Sequence, residues 1–410
     1  MIPIQSSFRN ASPAQLAAAM QDARNYTLAL FECFQSHGLD DLARVPYVRI
    51  INPPLWELGH IAWFAEWFVL REAASSNPVT AKSPCLLKSG DRWFDSSLVA
   101  HSKRWTLDLP DTAVIKKYAD EVFNRILDKL ATVPNNAQAL YPYRLVLAHE
   151  DMHGEAWAYT FQTLGLTAPP QLHERTLPGG TLPGRTFTGQ KLPPKELSLQ
   201  GGTFQLGSPP DHDFVFDNEK WAHPVSLPPF TIRPTLVTNA EYIEFMRQGG
   251  YQKMDFWSEA GRAWLAANKR SAPCYWEPDG ELWLCQRFGA LMRLFDNEPV
   301  RHISLYEAQA YCSWAKCRLP TEAEWEFSAM SAGSHFRWGD LWEWTSSSFE
   351  PYPLFSADRY LEYSAPWFNT HQVLRGASFA TQPRMASPHY RNFFTPERDD
   401  IFVGFRTCAH

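Results

Sequence analysis

The sequence has no arrangement of cysteines that would support a disulfide framework or a zinc ribbon. Its seven cysteines are an odd number, and no two of them are spaced as C-x-x-C. A reducing, cytoplasmic location is therefore the simplest expectation. No apolar run is long enough to predict a membrane span, since the stretch 58–70 is interrupted by His60 and Glu66. The N-terminus also lacks the charged and apolar regions of a secretory signal.

The chain has no excess of basic charge either. Its 38 Lys and Arg residues are outnumbered by 44 Asp and Glu residues, and the formal net charge of −6 offers no basic surface for nucleic acid. At 410 residues the chain is too long for one ordinary hydrophobic core, so we expect two domains. Seventeen tryptophans predict aromatic-rich surfaces or pockets.

Two histidines one helical turn apart are the most informative pattern in the sequence. His149 and His153 lie within the segment 145–161, whose apolar spacing predicts a helix. Residues at i and i+4 share a helix face, and this face points inward, whereas Glu150 and Asp151 point elsewhere. Such a pair can hold a divalent metal if another helix supplies a third ligand. The alternative is two unrelated histidines on a buried helix face.

Apolar residues at helical spacing predict four helices in the first half of the chain, arranged as an antiparallel bundle. The predicted helices cover residues 12–37, 54–72, 112–132 and 136–164. His60 lies on the inward face of the second helix, and a lone histidine there is more often a hydrogen-bonded core residue. The need of His149 and His153 for a partner makes His60 the candidate third ligand. The segment 73–110 is predicted to be irregular, either a solvated connection or one wall of a pocket.

The chain changes character after the last of these helices. Residues 166–196 are rich in Pro, Gly and Thr without apolar periodicity and are predicted to be a linker. From residue 197 onward, short strands, turns and a few helices are expected, beginning with a hairpin over 197–208. Capping boxes predict helices that start at Thr238, Ser304 and Thr321. The fold class is therefore α+β, with domains at 1–165 and 197–410.

The second half resembles the sulfatase-modifying-factor domain, the C-type-lectin-like fold of formylglycine-generating enzymes. The matching stretches are residues 201–208, 216–219, 223–225, 237–242, 318–326, 341–345 and 373–379. The first half resembles a DinB-type four-helix bundle through residues 53–64 and 149–153. The pairing of these two domains resembles the non-heme iron sulfoxide synthases of ergothioneine biosynthesis, their ovothiol relatives and the selenoneine synthases.

Formylglycine generation is the first rival function that the second half suggests. Formylglycine-generating enzymes use cysteines that follow a turn near the end of this domain. Here that turn, residues 375–385, contains no cysteine. The thiol-copper chemistry of those enzymes therefore lacks its residues in this chain.

The resemblance to the iron enzymes implies an Fe(II) cofactor. In that family three bundle histidines hold the iron, and they correspond to His60, His149 and His153 in this sequence. A three-histidine site leaves positions open for a substrate imidazole, for a thiolate or selenolate, and for O2. The substrate imidazole belongs to hercynine, the trimethylated form of histidine.

Candidate substrate-binding residues follow from the same resemblance. Trp63 and Phe393 are available as aromatic partners for the quaternary ammonium of hercynine. Asn392 corresponds to a residue that binds hercynine in the family, and Arg398 to one that binds the chalcogen donor. Met152 replaces a glutamine that often contacts hercynine, so this contact is lost or replaced.

Some family members place a tyrosine near the iron as a proton donor. The corresponding segment here ends in Phe355. The nearby candidates for a catalytic tyrosine are Tyr352 and Tyr363.

The loop after the second helix departs most from the ergothioneine enzymes. Those enzymes tend to place arginines near this loop for the carboxylates of a γ-glutamylcysteine donor. Here the loop 91–101 offers Arg92, Phe94, Asp95 and Ser96, and its acidic and hydroxyl groups suit sugar hydroxyls better than carboxylates. The composition of this loop resembles that of the selenoneine synthases, whose donor is a selenosugar.

The resemblance thus implies an enzyme that uses Fe(II) and O2 to join hercynine to a 1-seleno-sugar, leading to selenoneine. An alternative is a sulfoxide synthase that uses cysteine or γ-glutamylcysteine as the donor. A further alternative is a lectin-like binding module without catalysis. No nucleic-acid or membrane partner is expected.

Overall fold

The computed structural model describes residues 8–75, 80–173 and 196–410. Helices dominate the first half, whereas short strands and helices alternate in the second, which agrees with the predicted α+β class. Most of the predicted linker, residues 174–195, lies outside the described residues. The proposed domain limits at 165 and 197 therefore stay predictions.

Four long helices of the first half pack against one another as expected. The described α-helices of this half, short ones included, are α1 (Pro13–Ser36), α2 (Pro54–Ala65), α3 (Gly90–Phe94), α4 (Thr112–Leu130), α5 (Ala137–Thr163) and α6 (Pro170–His173). The long ones, α1, α2, α4 and α5, begin and end close to the predicted limits, and α2 continues as a π-helix over Glu66–Leu70. Their likeness to a DinB-type bundle stays a prediction.

The segment 73–110 is more ordered than predicted. It contains the short helix α3 and a 3₁₀-helix over His101–Thr106. Ser89 precedes α3 with a left-handed backbone, φ 71°, where the helix starts. Five residues are too few to show helical periodicity in a sequence.

Close packing fixes α3 against α2. All twelve residues of α2 are buried, so this helix has no solvent face. A Cβ added at Gly59 would lie 2.2 Å from the Phe94 ring, which means that only glycine admits α3 at this distance. The contact brings the C-terminal end of α3 next to His60.

The second half contains small sheets rather than one large one. Its strands are β1 (Leu197–Leu199), β2 (Gly202–Leu206), β3 (His223–Leu227), β4 (Phe230–Ile232), β5 (Trp276–Asp279), β6 (Leu282–Arg287), β7 (Ala290–Arg293), β8 (Trp342–Ser348), β9 (Gln372–Arg375), β10 (Asn392–Phe394) and β11 (Val403–Phe405). The largest described sheet has the order β10-β9-β8-β11, and only β8 and β11 are parallel in it.

The predicted hairpin over 197–208 is wrong. Strand β1 pairs with β4, and β2 pairs with β3, so the two strands belong to different sheets. Between them Gly201 has φ +66°, and a Cβ there would lie 2.3 Å from the carbonyl oxygen of Leu227. The glycine lets the chain pass from one sheet to the next instead of folding back on itself.

The three helices predicted from capping boxes are confirmed. They are α7 (Asn239–Arg247), α9 (Leu305–Ala315) and α10 (Glu322–Ser331), and each begins with a reciprocal box; α8 (Glu259–Asn268) lies between the first two. In each box a Ser or Thr hydroxyl accepts from the backbone three residues later, and a glutamate returns a bond to the cap.

Buried polar contacts fasten α5 to the second half. Glu155 accepts hydrogen bonds from Trp342 Nε1, Ser378 Oγ and Thr381 Oγ1, each at 2.7 Å. Asp151 accepts two bonds of 2.7 Å from Arg384. As predicted, Glu150 and Asp151 point away from the histidines. Glu150 pairs with Arg24 of α1, whereas Asp151 and Glu155 hold α5 against the second half.

Among the described residues, no helix combines the length and apolar character that crossing a membrane would need.

Candidate metal centre and adjoining pocket

Three histidines from two helices converge on one point. His60 comes from α2, and His149 and His153 come from α5. One nitrogen from each ring lies within 4.8 Å of the others, and the Nε2 atoms of His149 and His153 are 3.2 Å apart. Within the described part of the chain, this is the one group of His, Cys, Asp or Glu residues with metal-ligand spacing. We call it the histidine triad.

Hydrogen bonds orient two rings of the triad so that their Nε2 atoms face inward. Nδ1 of His60 donates to the carbonyl oxygen of Phe94 at 2.7 Å. Nδ1 of His153 donates to Oε1 of Glu57 at 2.5 Å. A protonated Nδ1 leaves a lone pair on Nε2, and metal-binding histidines are usually held in this way by a carbonyl or a carboxylate.

The third ring is held by stacking rather than by a hydrogen bond. His149 lies 3.6 Å from the Phe64 ring, centroid to centroid, at an interplanar angle of 3°. Its Nδ1 is buried without a hydrogen-bond partner among the described residues. Burial lowers the pKa of His60 and His149 well below the usual value, so both rings are neutral and can donate lone pairs at pH 7.

Trp63 and two predicted residues of the loop 91–101 surround the triad through different contacts. Trp63 stacks near His60 at 6.1 Å and donates to Asp91, while Phe94 holds His60 through its backbone. Asp95 is buried and accepts from the backbone and hydroxyl of Ser97.

Two other loop residues face solvent. The exposed Arg92 side chain binds Asp108 at 2.8 Å. Ser96 is exposed as well. Their predicted contact with substrate stays a prediction, and neither touches the triad in the contacts that the structure shows.

The predicted residues outside that loop also have defined neighbours. Met152 is half-buried against the core, and the Asn392 side chain accepts from the backbone of Phe393. Phe393 stacks on Phe349 at 4.1 Å. Both ends of the Arg398 guanidinium bind Asp400, at 2.6 and 2.8 Å.

The two predicted catalytic tyrosines have different neighbours. The buried Tyr352 packs with Leu206 and Ala323 and donates to Glu322 at 3.2 Å. Tyr363 stacks on Phe216, and its ring is a direct neighbour of the Tyr360 ring. Their catalytic role stays a prediction.

A third tyrosine, Tyr360, lies closer to the triad than either of these. Its ring is edge-on to His149 at 6.1 Å and to Phe64 at 4.9 Å. Burial raises its pKa, with a smaller contribution from Glu362, so the hydroxyl stays protonated at neutral pH. Tyr360 could not be recognised from the sequence, because it lies in a segment without regular periodicity.

Two charged residues near the triad were also missed. Glu57 precedes His60 by three residues on α2, and this helical spacing was a usable signal. Arg104 lies over Trp56 at 3.9 Å and donates to Asn52 at 2.6 Å, while its buried Nε has no hydrogen-bond partner among the described residues. Burial lowers the pKa of Arg104 to about 10, and Glu57 opposes this effect.

A small pocket near the triad lies between α5 and residues of the second half. Besides Leu145 and Phe214, its lining consists of Tyr141, Phe216, Asp217, Asp358, Tyr360 and Tyr363. We call it the Asp217 pocket. Tyr360 belongs to its wall and also contacts His149, so one ring separates the pocket from the triad.

Comparison with known families first identifies the class of the second half. Residues 184–340 and 337–410 match the family model of the sulfatase-modifying factor enzyme 1-like domain. Among curated proteins, the formylglycine-generating enzyme of Streptomyces coelicolor is 32% identical over 57% of this chain and 92% of its own length. This likeness does not extend over the helical half.

Other relatives match almost the whole chain. The hercynine oxygenase of Mycolicibacterium thermoresistibile is 32% identical over 96% of this chain and 94% of its own length. That of Mycolicibacterium smegmatis is also 32% identical, over 95% and 97% of the two chains. The chain belongs to the hercynine oxygenase family and is an enzyme.

Proposed function

We propose that the protein is a non-heme Fe(II) enzyme that uses O2 to join hercynine to a 1-seleno-sugar, leading to selenoneine. The observation that carries this proposal is the histidine triad, found in a chain that is similar to hercynine oxygenases along nearly its whole length. The relatives support hercynine as the substrate, and the surroundings of the triad support the choice of donor.

The donor atoms of the triad fit a divalent transition metal. Two Nε2 lone pairs are directed inward by the bonds of His60 and His153 to Phe94 and Glu57, and all three rings are nitrogen ligands of the kind that iron accepts. Fe(II) bound there would supply the redox chemistry with O2. A set of three protein ligands also leaves room for substrates at the same ion.

The balance of the proposed reaction requires one molecule of O2. The C–H bond of the hercynine ring and the Se–H bond of the donor are replaced by a C–Se bond. One oxygen atom ends in a selenoxide and the other leaves as water with the two hydrogens. Elimination from the selenoxide then releases the sugar portion and leaves a selenenic acid on the ring. Two equivalents of an external thiol would reduce this acid to selenoneine, giving a disulfide and water.

Residues of this chain would orient the substrate and hold a proton beside it. Phe64 fixes the plane of His149, and α3 closes the site behind His60. The Tyr360 hydroxyl stays protonated at neutral pH and is the nearest described tyrosine to the triad, which makes it the candidate proton donor.

The loop arginine and the arginine predicted to contact the chalcogen donor each pair with a carboxylate of the chain. Arg92 binds Asp108 at the surface, and Arg398 binds Asp400 through Nε and Nη2. Both would have to exchange or share this partner to bind the carboxylates of γ-glutamylcysteine. The buried Asp95 lies close enough to Tyr360 to influence its pKa and can accept a sugar hydroxyl near the triad. These observations support the selenosugar donor.

One observation favours the second candidate, a sulfoxide synthase with a thiol donor. Arg104 is near both Glu57 and Tyr360, and its Nε has no partner within the described residues. A guanidinium beside the triad suits the carboxylate of cysteine or γ-glutamylcysteine.

The donor experiment separates the two candidates. The iron-loaded protein is incubated with hercynine and O2, together with a 1-seleno-sugar, cysteine or γ-glutamylcysteine, and the products are identified by mass spectrometry. We expect a hercynine adduct from the seleno-sugar. Product from cysteine or γ-glutamylcysteine alone would overturn the selenium assignment.

A matched pair of variants locates the donor contacts. Arg104→Gln removes a guanidinium that lies near Glu57 and Tyr360, and Arg92→Gln removes one at the surface. With a sugar donor, neither change should raise the donor KM strongly. A rise confined to Arg104→Gln, seen with a thiol donor, would favour the sulfur alternative.

A further inference from the structure

Two cysteines lie on either side of the C-terminal end of α9. Cys312 lies in the last turn of the helix, and Cys317 is the second residue after its end. Lys316 between them has a left-handed backbone, φ 52°, and the N–H of Cys317 donates to the carbonyl oxygen of Cys312 at 3.0 Å. At a helix end of this kind, the side chains of the two residues that this bond joins commonly pack together. The local fold therefore places the two thiols beside each other.

The two side chains interact directly, and a third cysteine lies nearby. Cys312 and Cys317 share a hydrogen bond between their side chains. Cys408 pairs with Arg318 through two backbone bonds of 2.8 and 3.0 Å, and it is close enough to influence the pKa of Cys312. In the described part of the chain only the histidine triad has the spacing of metal ligands, so the three cysteines are not a metal site.

Solvent reaches one thiol of the pair. Cys312 is 5% exposed, whereas Cys317 is half-buried. The two residues before Cys317, Ala315 and Lys316, are exposed. A small reagent can therefore approach Cys317, while Cys312 is reached only through Cys317.

The surroundings make Cys317 the more reactive thiol. The hydrogen bond with Cys312 lowers its pKa most, burial opposes this effect, and Thr407 and Arg233 lower the pKa further. The same hydrogen bond and burial raise the pKa of Cys312 well above its ordinary value. All seven cysteines lie in the described part of the chain, and Cys317 is the one whose pKa is lowered. The thiolate is the nucleophilic form of cysteine, so Cys317 is the favoured attacking group.

We propose that Cys312 and Cys317 form a reversible dithiol–disulfide site that exchanges with low-molecular-weight disulfides. Cys317 is the attacking thiol, and Cys312 is the resolving thiol. An accessible thiol next to a second thiol is the arrangement in which oxidation ends in an internal disulfide. This site is separate from the triad and does not depend on the proposed function.

Exchange with an external disulfide takes two steps. The Cys317 thiolate attacks one sulfur of the external disulfide, which forms a mixed disulfide and releases one thiolate. Cys312 then attacks the Cys317 sulfur and releases the second thiolate. The protons of the two cysteines pass to the two released thiolates, so two electrons leave the chain and one external disulfide becomes two thiols. An excess of external thiol reverses both steps.

The first step also prepares the second. The raised pKa of Cys312 is caused first by its hydrogen bond with Cys317 and further by burial and by the charge of Cys317. In the mixed disulfide the Cys317 sulfur carries neither a proton nor a charge. Cys312 then ionises more readily, next to the sulfur that it must attack.

Peptide mapping of the full-length protein tests the proposal without turnover. The reduced protein is incubated with oxidised glutathione, alkylated with iodoacetamide under denaturing conditions and digested with trypsin without reductant. Trypsin cleaves after Lys316, between the two cysteines, so only a disulfide can hold residues 302–316 and 317–318 together. We expect mass spectrometry to detect this linked peptide in wild type and to show its loss after treatment with dithiothreitol.

Single variants separate the roles of the two thiols. Cys312→Ser should stop at the mixed disulfide of Cys317 with glutathione, because the resolving thiol is missing. Cys317→Ser should leave Cys312 unmodified, because the attacking thiol is missing. Circular dichroism would verify that each variant is folded.

Cys33 provides the matched control. It is also half-buried, but its thiol donates to the carbonyl oxygen of Thr167 at 3.7 Å, and burial raises its pKa. Cys33→Ser should form the linked peptide as wild type does. In the native wild-type protein at neutral pH, iodoacetamide should alkylate Cys317 about tenfold faster than Cys33 or more.

Three results would overturn the proposal. They are a disulfide from Cys317 to Cys408, a glutathione adduct of Cys317 that persists in wild type, and no reaction of Cys317 at all. Alkylation of Cys33 as fast as Cys317 would overturn the assignment of the attacking thiol. None of these measurements uses iron or hercynine, so their failure would leave the proposed function unaffected.

Discussion

Buried charges are treated differently in the core of the second half and around the histidine triad. In the core of the second half, the Glu343 carboxylate accepts from Arg406 at 2.5 and 2.6 Å and also from Trp325. The Glu322 carboxylate accepts two bonds of 2.9 and 3.0 Å from Arg391. Each of these carboxylates has a cation of the chain beside it, and such pairs hold the irregular fold together.

Next to the triad, by contrast, buried polar groups are left without partners. Oδ2 of Asp217, Nδ1 of His149 and Nε of Arg104 are buried and have no hydrogen-bond partner among the described residues. Such groups are uncommon in folded proteins and each requires an explanation. Buried atoms without partners also occur elsewhere among the described residues, on Arg375 and Arg301 for example. The two regions therefore differ in their carboxylates: Glu343 and Glu322 each have an arginine counterion, whereas Asp217 forms no ion pair among the described residues.

The largest expected effect comes from removing a ligand of the triad. His149→Ala should abolish stoichiometric Fe(II) binding, because two remaining imidazoles on separate helices form an incomplete site. Anaerobic Fe(II) titration measures this directly. His302→Ala is the matched control, since His302 is equally buried but packs between Tyr275 and Phe402. Equal iron binding by wild type and His149→Ala would contradict the metal assignment.

The next effect distinguishes the tyrosine beside the triad from one in the core. Tyr360→Phe keeps the ring and removes the hydroxyl, so kcat should fall by about 100-fold or more if that hydroxyl transfers a proton. Tyr352→Phe should leave kcat unchanged and lower the free energy of unfolding by about 1 kcal/mol through the lost bond to Glu322. Steady-state kinetics and chemical denaturation measure the two effects, and the reverse pattern would restore Tyr352 as the catalytic residue.

A smaller effect is expected from the carboxylate that orients His153. Glu57→Gln should weaken metal affinity by roughly 10- to 100-fold, because the Nδ1–H of His153 loses a charged acceptor. Competition with a chelator measures the affinity. Glu121→Gln, on the exposed face of α4, is the control and should bind metal as wild type does. An unchanged affinity in Glu57→Gln would mean that the short Glu57–His153 bond serves packing alone.

Sequence periodicity identified the parts of this molecule that depend on local structure. The i, i+4 spacing placed His149 and His153 on one face, and the apolar stripe of the second helix placed His60 inside. Capping boxes gave the starts of α7, α9 and α10, since each box involves residues only three positions apart. These features are encoded within one or two helical turns and can be recognised without knowledge of the tertiary fold.

Contacts between distant segments could not be predicted in the same way. Tyr360 reaches His149 from a segment without regular periodicity, and Asp217 is unpaired only because of how several segments pack. The predicted hairpin failed for a related reason, because β1 finds its partner in β4 rather than in the adjacent strand. The proposed proton donor depends on such long-range packing.

The smallest expected effect tests whether the unpaired Asp217 carboxylate lowers the free energy of unfolding. Burial raises the pKa of Asp217 to about 6, with a further contribution from Asp358. A carboxyl whose folded pKa is raised binds its proton more tightly in the folded state. Stability should therefore fall as pH rises from the ordinary aspartate pKa to about 6, and the cost is fully present above that pH. Asp217→Asn should remove this cost.

At pH 7.5 we expect Asp217→Asn to raise the free energy of unfolding by roughly 1 to 3 kcal/mol, since one pKa unit corresponds to about 1.4 kcal/mol. The gain should shrink as the pH is lowered to 4.5, where wild-type Asp217 is largely protonated. Glu343→Gln should do the opposite and lose about 3 to 5 kcal/mol, because it leaves Arg406 buried without its counterion. Urea denaturation at both pH values measures the free energies. Destabilisation of the Asp217 variant like that of the Glu343 variant would mean that this carboxylate stabilises the fold.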